Sequence, residues 1–123
     1  MGAWDLSPWD NDGAADWFGD LFDALPLAQR IEATLRLDAQ QHHEQVRAAA
    51  AMLIMLGRAY MWPVDVLDEH LQLAIAQMRI VRGVFEGDER WEGAIDSELA
   101  ILESRLHRGK EPAAPSTWTE FFR

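Results

Sequence analysis

The residues that could carry chemistry in this 123-residue chain are four histidines, four serines and 21 carboxylates. His42, His43 and Glu44 are adjacent, so their side chains diverge and at most two of them could bind one metal ion. No glutamate has a histidine three residues later, as di-iron helical bundles require, and no HExxH motif occurs. The sequence therefore predicts no metal site.

Nucleophilic and phosphate-binding motifs are also missing from the sequence. The serines lie in no GxSxG motif, the chain contains no cysteine, and neither GxxxxGK nor GxGxxG occurs. Carboxylate pairs such as Asp16 and Asp20 arise by chance in an acidic protein. We therefore predict no catalytic residue and no cofactor.

The charge of the chain is acidic and unevenly distributed. The net charge is −10, and residues 1–29 contain six aspartates but no lysine or arginine. Such a surface repels phosphate groups and anionic lipids, which disfavours nucleic acid and membrane as partners. A basic protein is the partner that this charge favours.

The elements that must position these residues are helices. Hydrophobic residues recur at helical spacing, which predicts a compact all-α bundle of about five helices. The predicted helices run from Asn11 or Asp12 to Ala24, then over about 27–39, 44–58, 63–85 and 89–108. The fourth carries an apolar stripe at helical spacing: Leu67, Leu71, Ala74, Met78, Val81 and Phe85. The third, rich in alanine and methionine, is apolar nearly all round and should lie at the centre. Residues 1–108 are expected to form one domain, and 109–123 a Pro-containing tail that docks back through its aromatic residues.

The first predicted helix combines acidic and aromatic residues. Four aspartates share one helical face because they are spaced four, four and three residues apart: Asp12, Asp16, Asp20 and Asp23. We expect this face to be solvated. Trp17, Leu21 and Leu25 are predicted to face the core, while Trp4 and Trp9 hold the preceding arm against the bundle.

Two other tryptophans are predicted to be exposed. Trp62 precedes Pro63 in a connector, and Trp118 lies in the tail. If both are exposed, they could form a contact patch for a partner. Together with Phe122 they could instead seal the interface of a homodimer.

The chain starts with the motif "MGAW…WDNDGAADW", which includes Gly2, Trp4, Trp9, Asp10, Asn11, Asp12, Ala15, Asp16 and Trp17. This motif resembles the start of an uncharacterised bacterial family, the domain of unknown function 4259. "EQVRAAAAMLIMLGR" and "RWEGAIDSELAILESRL" resemble its central and closing helices, so the match would cover about residues 1–108. Asp5 and Ser7 stand where the family usually has glycine. The resemblance implies an all-helical domain and supplies no reaction.

Three functions remain open from the sequence. The favoured hypothesis is a non-enzymatic interaction module of the cytoplasm whose acidic N-terminal face binds a basic protein, as small acidic proteins that neutralise basic toxins do. The partner-binding candidates are Asp12, Asp16, Asp20, Asp23, Trp62 and Trp118. The alternatives are a small ligand-binding or catalytic bundle with a pocket between helices, and a structural homo-oligomer. Because the chain has no long apolar run, we expect neither a signal peptide nor a membrane-spanning helix.

Overall fold

The computed structural model describes residues 11–59 and 61–106, and the structural statements below refer to these ranges. Five helices form within them: α1 (Asp12–Ala24), α2 (Leu27–Leu35), α3 (His43–Leu56), α4 (Val64–Val84) and α5 (Glu89–Leu106). No β-strand forms in the described ranges, and the predicted all-α bundle of five helices is confirmed. The predictions for Gly2, Trp4, Trp9 and the tail at 109–123 lie outside the described residues.

Helix α1 begins and ends where the sequence predicts. Asn11 is its N-cap, and the side-chain Oδ1 accepts a hydrogen bond from the backbone N–H of Ala14 at 2.8 Å. Such a cap satisfies one of the N–H groups that have no partner in the first helical turn. Leu25, which precedes Pro26, has extended backbone with φ −118° and ψ 131°, so the helix stops at Ala24.

Helix α3 lies at the centre of the bundle, as predicted. It packs against α2, α4 and α5. Val46, Ala50 and Leu53 on its inner side are fully buried. The alanines at this side are small, which allows the neighbouring helices to approach closely.

Helices α4 and α5 form the largest helix–helix contact of the described chain. The apolar stripe predicted along α4 is buried at Leu67, Leu71, Ala74, Met78 and Val81. The turn between these helices contains Gly87, whose φ of +96° is in the left-handed region that glycine adopts without a steric penalty. Ile95, Leu99 and Leu102 of α5 are buried on the facing side.

Two hydrophobic residues predicted to face the core are instead exposed: Trp17 (60%) and Leu25 (52%). The buried aromatic residue of α1 is Phe22, because Ala15, Gly19 and Phe22 form the side of the helix that faces the chain after α3. At 100° per residue, Trp17 lies about 200° from Ala15 and points away. Its ring contacts Phe18 edge-on, with 5.2 Å between ring centroids.

Helix α2 is shorter than predicted. It ends at Leu35 rather than near Ala39. Asp38 explains the difference, since its Oδ1 accepts hydrogen bonds from the backbone N–H groups of Gln40 and Gln41 and stabilises a turn. Ala39 is nevertheless buried and joins the core from that turn.

Candidate functional site

The acidic face of α1, formed by Asp12, Asp16, Asp20 and Asp23, is exposed to solvent as predicted. None of the four carboxylates makes an ion pair or a side-chain hydrogen bond with another residue of the described ranges. Like charges at this spacing repel one another, by about 0.2–0.5 kcal/mol per pair on an isolated helix. The face is therefore a cluster of negative charge that its described neighbours do not neutralise.

Several carboxylates elsewhere in the described chain are paired with arginines. Four arginines outside α1 each contact a carboxylate: Arg36 pairs with Glu32, Arg47 with Glu98, Arg79 with Glu103 and Arg82 with Asp96. The Arg47–Glu98 pair is bidentate, with N–O distances of 2.8 and 2.6 Å. The acidic face of α1 differs from these surfaces because its helix contains four aspartates and no basic residue.

A groove runs beside the acidic face, between α1 and the connector that joins α3 to α4. Its volume is about 530 Å³. On the α1 side, Ala15, Gly19 and Phe22 line it, together with the carboxylate-bearing residues Asp16 and Asp23. Because both aspartates are exposed, they lie at the mouth of the groove.

The floor of the groove consists of three buried residues: Phe22, Met61 and Trp62. The prediction that Trp62 is exposed is wrong, since only 2% of its surface is accessible. Its ring packs on Phe22, with 5.2 Å between ring centroids and 57° between ring planes. Trp62 therefore cannot be the exposed contact that the sequence predicted, although one side of it lines the groove. Trp118, the other predicted contact, lies outside the described residues.

The indole nitrogen of Trp62 has a buried hydrogen-bond partner, which allows this polar group to be buried. The indole Nε1–H donates a hydrogen bond to His70 Nδ1 at 3.1 Å, and only 1% of His70 is accessible. On the other side of the imidazole, Nε2 lies 2.9 Å from Oε1 of Glu32. Buried polar groups are stable when they are hydrogen-bonded, and this chain of contacts meets that condition.

The hydrogen bonds determine which ring nitrogen of His70 carries the proton. An indole N–H can only donate, so Nδ1 must accept and the imidazole carries its proton on Nε2. That Nε2–H then donates to the carboxylate of Glu32, which also accepts from Nε of Arg36 at 3.0 Å. The network Trp62–His70–Glu32–Arg36 thus joins the connector to α4 and α2. We refer to it as the buried relay after its two buried members, Trp62 and His70, whereas Glu32 is half-buried and Arg36 is exposed.

We expect the buried relay to make the stability of the fold sensitive to acid. The hydrogen bond from His70, and after it the one from Arg36, lowers the pKa of the Glu32 carboxyl below its ordinary value of 4.5. Because the folded-state pKa is the lower one, this stabilisation is fully present above the unfolded-state pKa and is lost as the pH falls through the folded-state pKa. As the pH falls from 6 to 3, the free energy of unfolding, measured with urea, should decrease less for Glu32→Gln than for the wild type. Equal slopes for the two proteins would contradict this expectation.

A second groove, of about 430 Å³, lies at the start of α3, near the α4–α5 turn. Its aromatic residues contact one another: Phe85 stacks on Trp91 with 5.1 Å between ring centroids, and His43 meets Phe85 edge-on at 5.3 Å. The guanidinium of Arg47 lies 5.2 Å from the Trp91 ring centroid while it also pairs with Glu98. The polar and aromatic groups of this second groove therefore largely contact each other.

The profile of the domain of unknown function DUF4259 matches residues 2–80 of the chain. The chain belongs to this family. The match includes the acidic face, every residue of the first groove and the buried relay, whereas Phe85, Trp91 and α5 lie beyond it. It supports the resemblance of the N-terminal motif and of the central helix, and it does not extend to "RWEGAIDSELAILESRL". Comparison with curated proteins and with solved structures finds no match.

Neither a cluster of metal-binding side chains nor a membrane-spanning helix occurs within residues 11–59 and 61–106. No three histidine, aspartate or glutamate side chains there converge closely enough to hold a metal ion. No helix of these ranges has the length and apolar composition to cross a lipid bilayer.

From the sequence alone, His70 was not identified as a partner of Trp62. A signal was present, because His70 follows Leu67 by three residues and precedes Ala74 by four, both of which are in the apolar stripe of α4. Helical spacing therefore places His70 on the buried side of that helix. A buried histidine requires hydrogen-bond partners, and an indole N–H eight residues earlier is one candidate.

Proposed function

We propose that this DUF4259 protein is a non-enzymatic interaction module that binds a basic protein through the acidic face of α1. The observation that carries the proposal is that four exposed carboxylates lie together on a helix that contains no basic residue. The four carboxylates of that face make no ion pair in the described ranges, whereas four arginines elsewhere are each paired with a carboxylate. Within the part of the chain that the structure describes, this charge is not neutralised, which favours a partner of opposite charge.

The physical basis of the proposal is electrostatic complementarity. Lysine and arginine side chains of a partner would relieve the repulsion among the four carboxylates and form ion pairs with them. A concentration of one charge also steers an oppositely charged protein during diffusion and raises the association rate, most strongly at low ionic strength. Binding of this kind should weaken with added salt, because exposed charges are screened over about 8–10 Å at 0.1–0.15 M ionic strength.

The test reverses charge on the acidic face. In a pull-down from native lysate, we expect the variant Asp16→Lys/Asp20→Lys to lose a basic protein that the wild type retains at low salt and releases at high salt. For the purified pair, the Kd should rise at least tenfold, which corresponds to about 1.4 kcal/mol. Calorimetric titration of the wild type and the variant measures this change.

The matched control is Glu44→Lys/Glu89→Lys. It changes the net charge by the same amount at two exposed carboxylates outside α1. It should retain the partner, since its substitutions leave the acidic face intact. If both double variants weaken binding equally, the effect reflects net charge alone and the proposal for α1 fails. Failure to find any salt-sensitive basic partner would also count against it.

One alternative has support from a specific observation. The second groove, lined by His43, Arg47, Phe85 and Trp91, agrees with the idea of a small ligand-binding bundle with a pocket between helices. A thermal-shift screen of small molecules tests it.

The homo-oligomer hypothesis loses one of its predicted interface residues, because Trp62 is buried. A location in the cytoplasm, inferred from the lack of cysteine, and a bacterial origin, inferred from the resemblance, belong to this proposal too.

A further inference from the structure

The geometry points to a partner that is a basic amphipathic helix and inserts one large apolar side chain into the groove beside the acidic face. Two cationic residues of that helix would flank the apolar side chain and pair with Asp16 and Asp23. This inference rests on the proposed function and adds the kind of segment that the acidic face recognises.

The floor of the groove is apolar and held in place. Phe22, Met61 and Trp62 are all buried, so they are fixed by the packing of the bundle rather than by a ligand. The orientation of Trp62 is further fixed by its hydrogen bond to His70 at 3.1 Å. A site of this kind is formed before binding, so little of the interaction free energy is lost in ordering it.

Small residues create the space above this floor. Ala15 and Gly19 line the α1 side, and a Cβ placed on Gly19 would meet no atom within 4 Å. The volume of about 530 Å³ is within the range of roughly 300–1,000 Å³ seen for ligand sites. Val64 is 65% exposed at the start of α4 and extends the apolar surface outward. The groove therefore has room for an aromatic side chain such as tryptophan, a residue type enriched among interface hot spots.

The spacing of the two carboxylates indicates the spacing of the cations. Asp16 and Asp23 are seven residues apart on α1, which is about 10.5 Å along a helix axis. A partner helix repeats the same distance between positions i and i+7, and places position i+4 between them on the same face. The expected pattern is therefore a cation, an apolar anchor four residues later and a second cation three residues after that. Helices that insert apolar anchors into grooves are a recurrent mode of recognition.

The experiment combines two peptides with two protein variants. The probe is a 16-residue alanine-based helical peptide that carries tryptophan with arginine four residues before and three residues after it. The reference peptide has alanine in place of the tryptophan. Gly19→Leu fills the groove and keeps every carboxylate, while Gly83→Leu makes the same substitution at a helical glycine of α4 whose Cβ also meets open space. Both substitutions raise helix propensity, so both variants should fold.

We expect the tryptophan peptide to bind the wild type and Gly83→Leu roughly 10- to 100-fold more tightly than the alanine peptide, by calorimetric or anisotropy titration. This advantage should vanish in Gly19→Leu, whereas the weaker, salt-sensitive binding of the alanine peptide should stay unchanged. Equal affinity of the two peptides for the wild type would overturn the inference. In that case the proposed function would still stand if binding remains salt-sensitive and is lost in Asp16→Lys/Asp20→Lys. If neither peptide binds at low salt, both proposals fail.

Two other occupants of the groove would overturn the inference in recognisable ways. If a second copy occupies it, sedimentation of the wild type will give a dimer and Gly19→Leu a monomer. If the aromatic C-terminal segment of the same chain occupies it, Trp118→Ala in the full chain will shift the amide resonance of Gly19. The inference requires a monomer and an unchanged Gly19 resonance.

Discussion

Replacing Trp62 by alanine is expected to lower the free energy of unfolding by about 3–5 kcal/mol, the usual cost of deleting a large buried aromatic side chain. Trp62 is 98% buried, packs on Phe22 and donates a hydrogen bond to His70. Its removal leaves a cavity and deprives the buried Nδ1 of His70 of its donor. Urea unfolding followed by far-UV circular dichroism measures the change without relying on tryptophan fluorescence.

Two further variants separate the causes of that loss. Trp62→Phe keeps an aromatic ring but removes the N–H, so it should lose about 1–3 kcal/mol for the unsatisfied His70 nitrogen, in addition to a smaller packing term. Trp17→Ala removes the same side-chain type from an exposed position and should change stability by about 0.5 kcal/mol or less. If Trp62→Ala lowers the free energy of unfolding no more than Trp17→Ala does, the buried position of Trp62 is wrong.

Replacing Leu53 by alanine is expected to cost about 2–5 kcal/mol. Leu53 is fully buried in α3, the helix that packs against α2, α4 and α5. The dense packing of a protein interior allows only partial collapse around the vacated volume, so both the lost apolar burial and the remaining cavity contribute. Denaturant unfolding of the wild type and the variant at neutral pH provides the measurement.

The control for Leu53 is Leu25, which is 52% exposed after α1. Leu25→Ala removes the same atoms from a largely solvated side chain and should have a much smaller effect. A loss at Leu53 that merely equals the loss at Leu25 would show that α3 is not the centre of the bundle. The comparison also tests the predicted role of α3 independently of any function.

The core and the groove share a residue, which links stability to the proposed binding. Trp62 is part of the hydrophobic core and also lines the groove beside the acidic face. The buried relay connects it to α2 through Glu32 and to α4 through His70. Variants of the relay should therefore affect peptide binding as well as stability, whereas Gly19→Leu should affect binding alone.

Much of the fold could be predicted from the sequence. The start of α1 at the Asn11 cap, its end before Pro26, the apolar stripe of α4 and the central position of α3 are all confirmed. Each depends on residues within a few positions of one another, through backbone capping, proline geometry or helical periodicity. Such signals are local, so a single sequence contains them in full.

The candidate site was predicted only in part. The solvated acidic face is confirmed because four aspartates at spacings of four and three must share a side of any helix. The groove beside it was not predicted, because it depends on Ala15 and Gly19 facing the connector rather than Trp17 facing the core. The sequence predicted that Trp17 and Leu25 face the core, whereas both are exposed. The helix rests on the connector through Phe22 and Trp62 instead.

By itself, the sequence determined which segments are helical, where α1 is capped and which of its residues carry the charge. Only the tertiary structure decided which side of α1 is buried and that Trp62 lies inside the protein beside His70. The physical reason is the range of the interactions involved. Helical spacing and capping act between residues a few positions apart, whereas the burial of an indole depends on the partner that folding brings to its N–H. That partner also holds the orientation of Trp62, which forms part of the apolar floor of the groove beside the acidic face.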